Sequence, residues 1–371
     1  MVSPARARAT STAPASWPSH WFDTGDERTA TGPPESRGLA RDEVRLLVSG
    51  EAGVEHARFR DLPRFLRPGD LLVVNTSATL PAAVDARRGG RHGGRGATVH
   101  FSTALDDGSW VVEVRPPGRP KGPVGDAGPG ERLALPGGAA LTLVSSYPDP
   151  EAGSGRLWRA TVEGLDPVAL LRRHGRPIAY AYVTGRWPLA MYQTVFAAHP
   201  GSAEMPSAAR PFSDRLVTRL VAGGIALAPV TLHTGVSSLE PGEPPLPERF
   251  RVPAPTAVRV NAVRSWGGRV IAVGTTAARA LESATAGDGT VVARSGWTDL
   301  MLGPDRPPRV LDGLITGWHG PGASHLQLLE SVAGEERVRR AYDEARSATY
   351  LWHEFGDSAL FFGAGATFHG P

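Results

Sequence analysis

His233 closes the stretch PVTLHTGVSSL, at the end of an apolar run that reads as a strand. An imidazole there can take a proton near neutral pH, or simply bond to backbone. His319 stands in the Gly/Pro loop of GWHGPGASHLQLLESVAG, and His325 in the helix that follows. Two histidines six apart could share a metal, but no third ligand follows at a usable spacing, so no metal is expected. VIAVGTTAARALES, residues 270–283, leaves a strand through Gly274 and enters a helix at Thr275 and Thr276. The unpaired amides and positive dipole end of such a helix suit a carboxylate or phosphate. The plainer alternative is that the threonines only cap it. The GxGxxG spacing of a dinucleotide site is absent. Glu282 on that helix and Asp357 after a turn are candidate acids or bases. In AMYQTVFAAHPGSAEMPSA, Tyr192, Gln193 and Thr194 stand among Gly201, Ser202 and Pro206, a mixture that often lines a pocket. ARRGGRHGGRG, residues 86–96, holds four arginines. It suits a phosphate backbone or a solvated hairpin tip.

These residues need a scaffold, and 371 residues allow two domains. Leu46–Val48 and Leu71–Val74 read as short buried strands. From about 84 to 165 the runs ATVHFSTA, SWVVEVR, ERLAL, AALTLVSS and RLWRATVE alternate with Gly/Pro turns, without a convincing helix. That spacing predicts a small antiparallel barrel or sandwich. Beyond 165, helices return. Asp166 and Ser213 are positioned as N-caps, and Leu216, Val217, Leu220 and Val221 as one apolar face. IALAPVTLH, RVIAVG and RVLDGLIT read as strands. Ser324 is positioned to cap another helix. Val338, Ala341, Tyr342 and Ala345 mark the face of a further one. The alternation argues for an α/β layer. We therefore expect an irregular N-terminal arm over 1–35, ordered in part by Trp17, Trp21 and Phe22. An α/β main domain should span 36–83 and 166–371, interrupted by a small antiparallel β-barrel insertion over 84–165.

Composition excludes several classes. There are no cysteines, hence no disulfide, thiolate metal site or cysteine nucleophile. No apolar run is long enough to span a bilayer, and no secretory pattern opens the chain, so a cytoplasmic protein is expected. The pI of 9.6 accompanies a net charge of only +3, with Lys121 the sole lysine. That skew resembles GC-rich coding more than a nucleic-acid surface.

The stretches GDLLVVNTSATLPA, YQTVFA…GSA, VTLHTG, VIAVGTTAARALES, GWTDLML, VLDGLITGWHGP and FGDSALFF, in this order, resemble the S-adenosylmethionine:tRNA ribosyltransferase-isomerase family of queuosine biosynthesis. The resemblance implies an α/β domain interrupted by a β-barrel. It implies an enzyme that transfers the ribosyl carbons of S-adenosylmethionine, a substrate and not a cofactor, to a 7-aminomethyl-7-deazaguanine base in tRNA. The ribosyl unit rearranges to an epoxycyclopentane, and adenine and methionine leave. The reaction requires a base for the proton beside the sulfonium, an acid for adenine and a seat for the methionine carboxylate. Gly274, Thr275 and Thr276 are expected at that seat. By motif, Asn75, Tyr192, Gln193, Thr194, Gly235 and Pro321 fall at substrate-binding positions. His233, His319, Glu282 and Asp357 fall at catalytic ones, a histidine being the first choice for proton transfer. The family's cations are replaced at Ala78, Ala83, Met191, Gly322 and Leu351. Phosphate contacts depend on such groups. Arg210 and the arginines at 87–95 are the available substitutes. The sequence thus leaves open a tRNA acceptor, a small-molecule acceptor on the same scaffold, and a non-catalytic binding protein.

Overall fold

The structure, a computed structural model, describes residues 28–118, 122–152, 155–236, 246–320, 324–363 and 365. Trp17, Trp21, Phe22, Lys121, Pro321 and Gly322 lie outside them.

The elements that build the barrel and the main sheet, in chain order, begin with β1 (Arg45–Gly50), β2 (Gly53–Arg58) and β3 (Leu71–Asn75). Six strands follow: β4 (Ala83–Arg88), β5 (Gly96–Ala104), β6 (Trp110–Arg115), β7 (Arg132–Ala134), β8 (Ala140–Tyr147) and β9 (Leu157–Glu163). Then come α1 (Pro167–His174), α2 (Asp214–Ala222), β10 (Ala226–Leu232), β11 (Glu248–Val252), α3 (Ala254–Ser265), β12 (Val270–Val273) and α4 (Thr275–Ser283). The chain closes with β13 (Arg294–Thr298), β14 (Gly313–Gly317), α5 (Ser324–Ala333), α6 (Glu335–Ser347) and β15 (Ser358–Phe362).

Strands β4 to β9 form a closed antiparallel barrel in the order β8-β9-β6-β5-β4-β7. Inward residues such as Val84, Val99, Phe101, Val112, Leu141 and Trp158 fill it, so it is a packed core rather than a channel. The first strand, β4, does not read as a strand in sequence because arginines and glycines crowd its end. Arg88 is in fact buried there, ion-paired to Asp126 and Glu131.

Nine other strands form a mixed sheet, ordered β13-β11-β10-β3-β12-β14-β15-β1-β2, and Ser77–Thr79 pairs in parallel with His199–Ser202 outside it. Its centre, β10-β3-β12-β14, is parallel. LLVV and VIAV are buried on both faces, as interior parallel strands must be. Leu71, Val73, Val270 and Ala272 pack toward α3 to α6, and Leu72, Val74, Ile271 and Val273 toward α2 and Phe212. Asp166 and Ser213 cap α1 and α2 through the amides of Ala169 and Leu216. Val221 departs from the apolar face expected of α2. It is 58% exposed, because the second helical row looks outward past Leu216 and Leu220. The arm is not wholly irregular either. Arg28–Thr29 pair in parallel with Leu351–Trp352.

Candidate active site

All four central parallel strands end on one side of the sheet, the side where open α/β sheets bind ligands. Asn75 ends β3 fully buried. Its Nδ2 donates to the Leu232 carbonyl (2.9 Å) and Thr276 Oγ1 (3.0 Å), and its Oδ1 accepts from the Ser77 and Leu232 amides (both 3.0 Å). One side chain thus fixes the ends of β3 and β10 against the start of α4.

His233 follows directly. Its Nδ1 is 2.7 Å from Ser77 Oγ, which is 2.6 Å from Ser202 Oγ; the Thr234 amide donates to Ser202 (3.0 Å). The ring lies flat against Gly201, where an added Cβ would come within 2.4 Å of Nδ1. Burial first, then Arg249 and His199, lowers its pKa to about 4. The imidazole is therefore neutral at physiological pH.

Gly274 precedes α4 at φ +91°, with space for no bulkier residue: an added Cβ would meet the Ala208 methyl at 3.2 Å. No side chain caps this helix. Its first backbone bond runs from Ala278 to Gly274, leaving the amides of residues 275–277 without intrahelical partners. The threonines do not spend themselves on capping. Thr276 accepts from Asn75, and both stay partly exposed.

A second cluster stands beyond β14. His319 Nε2 is 3.3 Å from Thr316 Oγ1, and its ring stacks on His325 at 4.2 Å and 6°. Burial lowers both pKa values, that of His325 to about 4. Among the described residues, no group of three or more metal-ligating side chains occurs. His353 stacks on Tyr182 (4.6 Å) and Tyr182 on Tyr180 (5.6 Å), whose hydroxyl donates to Glu204. Glu354 sits beside them, its pKa pushed up to about 8 by burial and then by Glu204. Sequence reasoning missed Ser77, Glu204, His353 and Glu354, while Ser202 stands in the stretch expected to line a pocket. The available signal was the pair His353-Glu354 between Trp352 and Phe355, two ionisable groups in an apolar run.

The other expected residues lie outside these clusters or are already engaged. Glu282 is two turns along α4 from Thr275, and its carboxylate accepts from the amides of Arg309 and Val310 at 3.0 Å. Asp357 is buried, accepting from the Arg45 guanidinium (2.9 and 3.0 Å) and the amides of Arg45 and Leu351 (2.8 Å). Gln193 pairs with both backbone groups of Thr79, Tyr192 packs edge-on against Phe355, and Thr194 caps the Phe196 amide. Gly235 lies against the barrel, where an added Cβ would be 2.7 Å from Ser102 Oγ. Of the positions that lost a family cation, Ala78 and Ala83 are buried. Arg210 is also buried. Its guanidinium bonds the Met191 carbonyl (3.0 Å) and Glu35 (2.8 Å), so it brings a cation back beside Met191 rather than to the surface. A cavity of about 670 Å³ lies between the barrel and residues 176–192. Arg87, Arg176, Arg186 and Trp187 are among its walls.

The chain is similar to several known proteins. Residues 18–361 match the family described as queuosine biosynthesis protein. An S-adenosylmethionine:tRNA ribosyltransferase-isomerase of Symbiobacterium thermophilum is 35% identical over 347 residues, covering 91% of this chain and 97% of the relative. One of Gloeobacter violaceus is 36% identical over 335 residues, covering 88% and 91%. A solved S-adenosylmethionine tRNA ribosyltransferase of Thermotoga maritima is 25% identical, with a TM-score of 0.48 and coverage of 91% and 98%. The chain belongs to the queuosine biosynthesis protein family. Among its described residues no helix is long and apolar enough to cross a membrane.

Proposed function

We propose that this chain is an S-adenosylmethionine:tRNA ribosyltransferase-isomerase, acting in the cytoplasm on S-adenosylmethionine and tRNA. The observation that carries the reading is the Asn75 amide joining Leu232, next to His233, to Thr276. It sets a neutral imidazole beside an uncapped helix end, two of the three features the reaction requires.

The uncapped amides of residues 275–277 and the Thr275 hydroxyl receive the methionine carboxylate, helped by the helix dipole. His233 takes the proton from the carbon beside the sulfonium, whose positive charge makes that hydrogen acidic. This needs the tautomer in which Nδ1–H donates to Ser77, Ser77 donates to Ser202, and Nε2 keeps its lone pair. Depressed basicity matches a base that must be free of its proton at neutral pH. Asp357 and Glu282 then act as positioning groups, holding Arg45 and the 309–310 loop. Arg87 and Arg186, both exposed at the 670 Å³ cavity, are cations available to tRNA phosphates.

The test is a product assay. Protein is incubated with S-adenosylmethionine, with and without tRNA carrying the deazaguanine precursor, and adenine and methionine are followed by mass spectrometry. Release that requires this tRNA, with the matching mass gain on it, is expected. Release independent of tRNA, or none with S-adenosylmethionine bound, would overturn the reading.

A further inference from the structure

The cavity between the barrel and residues 176–192 carries side chains that the steps above leave unused. Its volume of about 670 Å³ lies within the range of about 300–1,000 Å³ usual for small-ligand sites. His100, on β5, forms part of its wall. The ring's Nδ1 is buried and lies 3.5 Å from the carboxylate of Glu113, which is itself fully buried and paired with Arg115 and Arg156. Burial lowers the His100 pKa against the pull of Glu113, so the ring is neutral. A carboxylate only accepts, so the ring proton sits on Nδ1 and Nε2 is left as an acceptor. Among the described residues no group bonds that Nε2.

Trp187 forms another part of the wall. Its Nε1 donates to the Thr184 carbonyl (3.0 Å), and its ring backs onto Gly32, where an added Cβ would come within 3.1 Å. Among the described residues no aromatic ring stacks on it. The rim is cationic. Arg87 and Arg186 are exposed there and, among the described residues, make no ion pair. Arg95, also exposed, precedes Gly96, the cross-strand partner of Arg87. Arg176, by contrast, is paired with Asp85 (2.6 Å). The cavity adjoins the end of the sheet that carries His233. Two residues beyond His100 on β5, Ser102 Oγ accepts from the Val236 amide (2.9 Å), three residues past His233.

We propose that this cavity seats one unpaired nucleotide of the RNA substrate, a neighbour of the nucleotide that is modified, with its base stacked on Trp187, His100 accepting a hydrogen bond from it, and Arg87 and Arg186 on the flanking phosphates. The inference rests on the function proposed above. Unpaired RNA is read in this manner, its bases splayed out, stacked on aromatic rings and hydrogen-bonded at their edges. A base N–H or the ribose 2′-hydroxyl supplies the donor that Nε2 lacks. Exposed arginines on β4, before Gly96 and within 176–192 follow a strand with several phosphates rather than the single phosphate of a free nucleotide.

The full chain and precursor tRNA test this by fluorescence titration, with tRNA-dependent adenine release as the second readout and S-adenosylmethionine affinity as the check on folding. Trp187→Ala should weaken tRNA binding by about tenfold or more, the loss of one base stack, and Trp187→Phe should recover most of it. Arg87→Gln with Arg186→Gln changes only exposed side chains. It should make the slope of log affinity against log salt shallower by about 1.4, two phosphates at about 0.7 each. His100→Ala should weaken binding by about fivefold. Uridine monophosphate, the free-nucleotide probe, should not displace tRNA at equal concentration. Displacement by it, lost in Trp187→Ala while tRNA affinity stays at the wild-type value, would make the occupant a free nucleotide and overturn the RNA seat. Wild-type tRNA affinity in Trp187→Ala and a wild-type salt slope in the arginine pair would overturn the subsite, while tRNA-dependent release by wild type keeps the enzyme reading intact. Wild type that releases no adenine, yet binds tRNA through Trp187, would overturn the enzyme reading and leave the subsite standing.

Discussion

The two ends of the central parallel strands are built on opposite principles. At their N-terminal ends every charge is spent. Asp70 is wholly buried and accepts from Arg269 Nε and Nη2, the Arg269 amide and the Arg67 amide. Arg269 also reaches the Phe65 carbonyl and lies over Phe362. At the C-terminal ends the Arg45–Asp357 pair is also spent, but other ionisable groups are held uncharged. His233, His319 and His325 are kept neutral, α4 is uncapped, and Glu354 keeps its proton. Both ends draw on the same strands and the same core. What differs is whether polar groups are paired with each other or left for something else, and only the second arrangement leaves capacity for a substrate.

That contrast can be broken most forcefully at the paired end. Asp70→Asn strands a buried guanidinium and should cost about 3–5 kcal/mol of stability, read from urea unfolding. The adenine-release rate per folded molecule should be unchanged; a lost rate with intact stability would erase the distinction between the ends. At the withheld end the expected pattern inverts. Thr275→Val with Thr276→Val should weaken S-adenosylmethionine binding by about tenfold, the loss of one or two hydroxyl contacts. Unfolding should change less than for Asp70→Asn. Wild-type affinity in that double variant would remove α4 from the binding site.

A smaller effect sharpens the comparison through pH. His233 and His325 have folded values near 4 against an ordinary 6.5, so the unfolded chain binds more protons in that window. Stability should therefore decline as pH falls from about 6.5 toward 4. Glu354 has the opposite sign. Its contribution is complete below the ordinary 4.5 and is lost as pH rises through about 8. Urea midpoints across pH should show both limbs, and Glu354→Gln should remove the alkaline one. An unchanged alkaline limb in that variant would assign it elsewhere.

Much of this scaffold is legible in sequence because local signals dominate there. Asp166 and Ser213 announce their helices, and the buried runs LLVV and VIAV announce interior strands. β4 is hidden because its Arg88 is a buried, paired cation, which composition cannot separate from a surface one. α3 is hidden because Pro253 and Pro255 open it and its apolar residues lack a clean face. Individual site residues are legible as types, and His233 falls at the end of its strand as expected. Convergence is not. Ser77, Ser202 and His233 come from three distant segments, as do Glu204, His319 and Glu354. Asp357 and Glu282 look reactive in sequence, yet their partners occupy them.

The most direct measurement of the central claim is single-turnover adenine release by His233→Gln with S-adenosylmethionine and precursor tRNA. The account predicts a rate about 10²–10⁴-fold below wild type, at an unfolding midpoint close to wild type. Release at the wild-type rate would contradict it and take the proton-accepting role away from the C-terminal end of β10.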